Sequence, residues 1–230
     1  MNSSNEADKR SAALRAVEHV QSGMVLGLGS GSTARHATEA IGWRLREGSL
    51  TRITAVPTSN DTAALAQGLG IPLIDLSADG VDLAIDGMDE VTPYLDAIKG
   101  LGGALAREKI VATGAKTFIL VGDGRKRVER LGERSPVPVE VLPFGWRRTL
   151  RLLEELGTHP ELRSLDGSPV RTDNGNLIID CRISVEIDPE EFALGLSRQP
   201  GVVEHGLFLG LADLAYVAEQ GEISLLRREA

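Results

Sequence analysis

Met24-Val25-Leu26-Gly27-Leu28 runs straight into Gly29-Ser30-Gly31-Ser32-Thr33. Five apolar or small residues followed by turn-forming glycines read as a short buried strand. The segment from Thr33 to Arg46 then has helical periodicity. A strand, a glycine loop and a helix in succession form half of a parallel crossover unit. The same alternation continues outward in both directions. Ala12 to Val20 reads as an amphipathic helix before the strand. After the helix come a strand (Arg52 to Val56), a helix that stops at a glycine (Asp61 to Gly68) and a strand (Val81 to Ile85). A helix from Ala104 to Thr113 and a strand from Lys116 to Val121 follow. Strands alternating with helices over short loops predict a parallel sheet covered on both faces. The expected fold is therefore α/β, with a doubly wound, Rossmann-like sheet.

The pattern changes near Glu133. Pro136-Val137-Pro138-Val139-Glu140-Val141-Leu142-Pro143 carries too many prolines for a central strand and is expected at a sheet edge or in a crossing linker. A helix is expected from Arg147 to Leu156, with strands near Leu162 and over Leu177 to Ile183. Turn signals stand at Asp166-Gly167 and Asn174-Gly175. Pro189 opens another helix to about Ser197, and Gly201 to His205 reads as a strand. This is a small α+β unit of ferredoxin-like type. The run Leu214-Ala215-Tyr216-Val217-Ala218 is again strand-like and is expected to rejoin the first sheet. The expected organisation is a catalytic α/β domain of residues 1–132 and 209–230, with residues 133–208 inserted as the second domain. The proline-rich edge near Val137, with the inserted unit, is a plausible subunit contact.

The 230 residues are 42% hydrophobic, enough to bury a full core. No apolar run is long enough to span a membrane. Met1 to Arg10 is polar and mixed in charge, unlike the apolar core of a signal peptide, so a cytoplasmic location is expected. The net charge of −8 argues against a nucleic-acid footprint, which needs clustered Lys and Arg. It does not argue against one small phosphorylated substrate. The lone Cys181 cannot form an intramolecular disulfide and reads as a small buried hydrophobe. His19, His36, His159 and His205 show no metal-ligand spacing, so no metal site is expected.

Three segments carry chemistry. The glycine loop presents backbone N–H groups at a helix start, and Ser30, Ser32 and Thr33 add hydroxyls. A dinucleotide site would want glycine where Ser32 stands and an acid at the end of the second strand, which instead reads Val56-Pro57-Thr58-Ser59. No lysine stands in the loop, which removes the nucleotide P-loop. A monophosphate cradle and a plain capped turn both remain open. Asp86-Gly87-Met88-Asp89-Glu90 follows a strand, at the carboxyl edge where open α/β sheets bind ligands. Taken by itself it could be an ordinary acidic turn. Lys99-Gly100-Leu101-Gly102-Gly103-Ala104 places a cation beside a glycine nest suited to an oxyanion. The helix after it carries Arg107, Glu108 and Lys109.

Together, Gly29-Ser30-Gly31-Ser32-Thr33, Asp86 to Glu90, Lys99 to Ala104 and Arg107-Glu108-Lys109 resemble the signature segments of ribose-5-phosphate isomerase type A. They stand in that family's order and with its Lys-to-Glu spacing. The resemblance continues through Asp173-Asn174-Gly175-Asn176 and Pro200 to Phe208, covering nearly the whole chain. It implies an aldose–ketose isomerase acting on ribose 5-phosphate and ribulose 5-phosphate without a cofactor, as at least a homodimer. By the same resemblance Glu108 is the proton-transferring base. Ser30 to Thr33, Asp86, Gly87, Met88, Asp89, Lys99, Gly100, Leu101 and Gly102 line the substrate. Lys126 stands near it, and Lys9 can reach the phosphate. Ser30 replaces the family's usual threonine, Met88 an alanine and Leu101 a glycine, and the last two could reshape the pocket wall.

Chemically, such an isomerase moves a proton between C1 and C2 of the sugar while negative charge grows on oxygen. Glu108 suits the base, Lys99 and the nest suit the oxyanion, and Asp86 or Asp89 could move hydroxyl protons. An aminosugar-phosphate isomerase/deaminase is the nearest enzymatic alternative. A sugar-phosphate-sensing effector domain is the non-enzymatic one. It would want a helix-turn-helix, for which about twenty residues before the first strand are too few.

Overall fold

The computed structural model describes residues 2–228, so Met1, Glu229 and Ala230, the ends of the expected catalytic unit, lie outside it. The first half runs α1 (Asn2–Val17), β1 (Val25–Leu28), α2 (Ser32–Arg46), β2 (Thr54–Pro57), α3 (Asn60–Gly68), β3 (Leu83–Gly87), β4 (Glu90–Val91), β5 (Ala97–Ile98), α4 (Leu105–Thr113) and β6 (Phe118–Asp123). The second runs β7 (Val137–Val141), α5 (Trp146–Glu155), β8 (His159–Leu162), β9 (Ser164–Leu165), β10 (Ser168–Pro169), β11 (Leu177–Arg182), α6 (Pro189–Ser197), β12 (Val202–His205), β13 (Leu207–Phe208), β14 (Leu214–Glu219) and β15 (Glu222–Arg227).

The main sheet has the order β15-β14-β6-β3-β1-β2. It is parallel except for β15, which pairs antiparallel at the edge. Alternation along β6 shows why both faces are dry. Ile119 and Val121 enter the core under α1 and α2, while Phe118 and Leu120 enter the one under α4. A strand covered on both sides must be apolar along its length, and this one is from Phe118 to Gly122, with Asp123 only at its carboxyl end. β14 lies parallel to β6 in this sheet, although the whole of β7 to β13 separates them in sequence.

That intervening stretch forms a four-stranded antiparallel sheet of order β12-β7-β11-β8, the ferredoxin-like arrangement. Val137, Val139, Val141, Ile179 and Cys181 pack on Leu153 of α5 and on Phe192 and Leu196 of α6. The opposite face carries Ile178, Asp180 and Glu140 and lies over the glycine turn at 99–103, where Ile178 approaches Gly103. The small sheet therefore roofs the edge where β3 ends.

The proline-rich run is not at an edge. β7 sits between β12 and β11 with Val137 fully buried. This corrects the edge expectation. Pro136 and Pro143 lie outside the strand, and Pro138 is accommodated at its end. The Pro138 carbonyl accepts the Gly206 N–H at 2.7 Å, so the missing proline donor would have faced the Gly206 carbonyl. That carbonyl instead accepts the Lys99 N–H at 2.9 Å. Proline leaves no orphaned acceptor here, and the same exchange ties the small sheet to Lys99.

α1 begins well before Ala12 and ends at Val17 rather than Val20. His19 and Val20 close tight turns onto Ala16 and Val17 instead of continuing the helix. The buried Asp8 explains the earlier start in part. It accepts the Gln220 and Gly221 N–H groups at 3.1 and 3.0 Å, docking α1 on the β14–β15 turn.

Candidate active site

β3 ends in Asp86, and everything at the site is arranged around it. Asp86 Oδ1 accepts the N–H groups of Gly87 (2.7 Å) and Ser30 (3.0 Å), which ties the β1–α2 loop to the end of β3. The approach is so close that a Cβ on Gly29 would lie 2.2 Å from Asp86 Oδ1. Glycine is therefore required at position 29, whatever the loop binds. Gly31 caps α2 in a conformation with φ 91° and gives its first turn no side-chain acceptor. The leading N–H groups of α2 stay available to an anion. Ser30 Oγ pairs with Thr58 Oγ1 at 2.7 Å, and Lys9 Nζ donates to Ser32 Oγ at 3.0 Å.

Lys99 follows β5 and turns inward. Its ammonium lies 3.0 Å from Asp86 Oδ2 and 3.1 Å from Glu108 Oε2, and donates to the Gly87 carbonyl at 2.7 Å. All three side chains are almost fully buried. Glu108 comes from the first turn of α4, and its Oε2 has no aligned hydrogen-bond donor despite the nearby ammonium. Burial, reinforced by Asp86, pushes its carboxyl up to about 8 against the pull of Lys99. Burial likewise raises Asp86, opposed by Lys99. Burial works against charge on Lys99, but Asp86 and Glu108 outweigh it and hold the ammonium above its ordinary range. One cation thus stands between two carboxylates that burial pushes towards the protonated form, and Glu108 is the one on the cleft wall.

In front of this trio lies a cleft of ≈ 450 Å³. Its lining includes Lys9, Ser30, Gly31, Ser32, Thr33, Gly87, Met88, Asp89, Lys99, Gly100, Gly102, Glu108 and Lys126. Of the residues expected from sequence, two are set back. Asp86 is behind the wall, reaching the cleft through Lys99. The Leu101 side chain is 39% exposed and faces away, while its N–H donates to Asp89 Oδ2 at 2.9 Å. Met88 is buried over Gly122 beside the Lys126 stem. Lys126 Nζ is 3.8 Å from Asp89 Oδ1, so the two flank the same end of the cleft.

Sequence reasoning missed the opposite wall. Arg171, Thr172 and Asp173 reach the cleft from the small sheet, and Arg125 from the turn after β6. The one signal was the polar turn Asp173 to Asn176, which carried no role. Arg107 holds that turn in place, donating to Asn174 Oδ1 (2.9 Å), Asn60 Oδ1 (3.1 Å) and the Asp173 carbonyl (3.1 Å). Behind it, the fully buried Glu140 Oε1 accepts from Thr172, Asn174 and Asn176.

The chain can be set beside known proteins at this point. A family model described as ribose 5-phosphate isomerase A (phosphoriboisomerase A) matches residues 54–222. Ribose-5-phosphate isomerase A of Roseiflexus castenholzii is 53% identical over 212 residues, covering 91% of each chain. The structure of ribose 5-phosphate isomerase from Plasmodium falciparum superimposes with a TM-score of 0.95 at 35% identity, covering 98% of this chain and 100% of that one. A D-ribose-5-phosphate isomerase structure in complex with phospho-erythronic acid superimposes with a TM-score of 0.94 at 39% identity, covering 99% and 100%. With a buried carboxylate–lysine–carboxylate trio at the strand edge and relatives matched over nearly their whole length, this chain belongs to the ribose 5-phosphate isomerase A family.

Proposed function

We propose that the protein interconverts D-ribose 5-phosphate and D-ribulose 5-phosphate through an enediolate, with Glu108 as the base. The observation that carries this reading is Glu108 itself: a dry carboxylate held near neutral pKa, 3.1 Å from a buried ammonium, on the wall of a cleft. Starting from the aldose, Glu108 takes the proton from C2 of the open-chain sugar. The C–H electron pair becomes the C1–C2 double bond, and the carbonyl pair moves onto O1. Lys99 and the N–H groups of the glycine nest stabilise that charge. The O2 proton passes to O1, and Glu108 returns its proton to C1, leaving a ketone at C2. Asp89, on the cleft wall, is better placed to move the hydroxyl protons. Asp86 orients Lys99 from behind.

The phosphate fits the other end of the cleft. The free N–H groups of α2, the hydroxyls of Ser30, Ser32 and Thr33, and the ammonium groups of Lys9 and Lys126 suit a dianion. Phospho-erythronic acid, bound by the relative, suits the same cleft. Its carboxylate offers two oxygens where the enediolate would carry them. The reaction calls for no redox cofactor or metal.

We read residues 1–132 and 209–230 as the catalytic domain and 133–208 as an inserted one, a division supported by the separate six-stranded and four-stranded sheets, while the short β13-β5-β4 sheet bridges the boundary. We further propose a homodimer in the cytoplasm. No helix among the described residues is long and apolar enough to cross a membrane. Sedimentation at twice 24.5 kDa is the expected result; a mass of one chain would remove the dimer.

Glu108→Gln tests the assignment. It keeps the shape but cannot take a proton, so kcat should fall roughly 10³-fold with sugar-phosphate binding retained. Near-normal turnover would show that the base lies elsewhere. A panel that includes aminosugar phosphates separates this activity from that of an isomerase/deaminase.

A further inference from the structure

Arg163 lies between β8 of the small sheet and β9, and its guanidinium reaches across to the glycine turn between β5 and α4. On one side it forms a two-point pair with Asp180, Nε to Oδ2 at 2.7 Å and Nη2 to Oδ1. On the other, Nη1 donates to both the Gly100 carbonyl (3.1 Å) and the Leu101 carbonyl (2.9 Å). The side chain is only 15% exposed. Four of its five N–H donors are thus committed, two of them to consecutive peptides beside Lys99.

Those two carbonyls decide where two N–H groups point. In a trans peptide the C=O and the following N–H point in opposite directions. The Gly100 carbonyl belongs to the peptide whose N–H, from Leu101, donates to Asp89 Oδ2. That peptide is pinned at both ends. The Leu101 carbonyl belongs to the peptide whose N–H comes from Gly102. Gly102 lines the cleft, and its N–H donates to no group among the described residues. A cation on the carbonyl oxygen also polarises the peptide and strengthens its N–H as a donor. The turn closes on its own bond from the Gly103 N–H to the Gly100 carbonyl (3.0 Å), with Gly100 at φ 101°; no side chain within it holds the Leu101–Gly102 peptide, and Arg163 supplies that restraint from outside.

We propose that Arg163, anchored by Asp180, is a positioning residue for the isomerisation: it fixes the peptides at 100–102 so that the Gly102 N–H meets the oxygen that becomes negative. The proposal rests on the isomerase reading above. It also gives the inserted sheet a part in the chemistry, since the group that holds the oxyanion nest comes from that sheet. Lysine cannot substitute, because a single ammonium cannot pair with Asp180 at two points and still reach two carbonyls.

The test uses Arg163→Met, Arg163→Lys and Asp180→Asn in the full-length protein. Readouts are kcat, KM, inhibition by phospho-erythronic acid and inhibition by inorganic phosphate. Arg163→Met should lower kcat by about 100-fold while KM shifts less than about threefold, because the phosphate grip lies elsewhere. Phospho-erythronic acid should lose affinity in step with kcat, and inorganic phosphate should inhibit as before. Arg163→Lys should fail to rescue, and Asp180→Asn, which leaves the guanidinium unanchored, should fall in between. If Arg163→Met folds poorly, Asp180→Asn carries the same comparison. Wild-type kcat in both Arg163→Met and Asp180→Asn would overturn the proposal. So would a parallel loss of phosphate inhibition, which marks general disruption. A wild-type chain without isomerase activity would overturn the reading beneath it, a result distinct from an active wild type and an equally active variant.

Discussion

Glu108 meets two opposing demands, and both can be measured. As a base it must lose its proton, and burial holds that proton on up to about pH 8. kcat/KM should therefore climb as pH rises, close to tenfold per unit well below pH 8, and level off above it. A profile already flat from pH 5 to 7 would contradict this. The same shift has a cost in stability. Its folded pKa lies above the ordinary 4.5, so the folded state holds the proton more tightly, and stability falls as pH rises from 4.5 towards 8. Glu108→Gln escapes that loss. Its melting temperature should exceed the wild type's by about 3–8 °C at pH 8, with the gain shrinking towards pH 5. An inactive variant that is more stable at high pH identifies a residue kept for chemistry rather than for packing.

Among the elements, the junction of β12, β13 and β5 carries a position with no room for a side chain. A Cβ on Gly206 would lie 2.2 Å from the Lys99 carbonyl and 2.7 Å from Pro138 Cδ. Neither backbone nor proline ring can retreat without moving Lys99. Gly206→Ala should cost more than about 2 kcal/mol and lower kcat as well. Gly48→Ala is the control: at φ 77° with nothing within 4 Å, it should cost about 1–2 kcal/mol for its backbone alone and leave kcat unchanged. Chemical denaturation and steady-state kinetics on the pair separate the effects. Equal losses of activity would disconnect Gly206 from Lys99.

At the scale of the molecule, the cleft exists because two sheets meet, and Arg107 ties them along its rim. Its guanidinium joins Asn60 at the start of α3 to Asp173 and Asn174 of the small-sheet loop. The Asp173 carboxylate in turn accepts the Asn60 N–H at 2.7 Å. Arg107→Ala should loosen that wall while leaving the Lys99–Glu108 pair untouched. KM should rise about fivefold to twentyfold with kcat little changed, and amide exchange should quicken over residues 171–176. If kcat falls and KM holds, Arg107 serves the chemistry and not the wall.

Local pattern was enough for whatever local pattern governs. Strands dry on both faces must be apolar up to their carboxyl ends, so β1, β3 and β6 were readable, and the glycine turns at 29–31 and 100–103 announced close backbone approach. The order of Asp86, Lys99 and Glu108 along the chain also marked one strand edge as chemical. Three features depended on distant partners and so were not readable. Proline in the middle of a sheet is tolerated only because the Lys99 N–H, far away in sequence, takes the carbonyl that the proline leaves unserved. Arg171 to Asp173 reach the cleft only because the small sheet folds back over β3. The roles of the two acids separate only when burial puts Asp86 behind Lys99 and leaves Glu108 facing the cleft without a donor. Periodicity and spacing record what a residue does to its own segment. Proton affinity and hydrogen-bond satisfaction depend on what packs against it, and only the tertiary structure decides that.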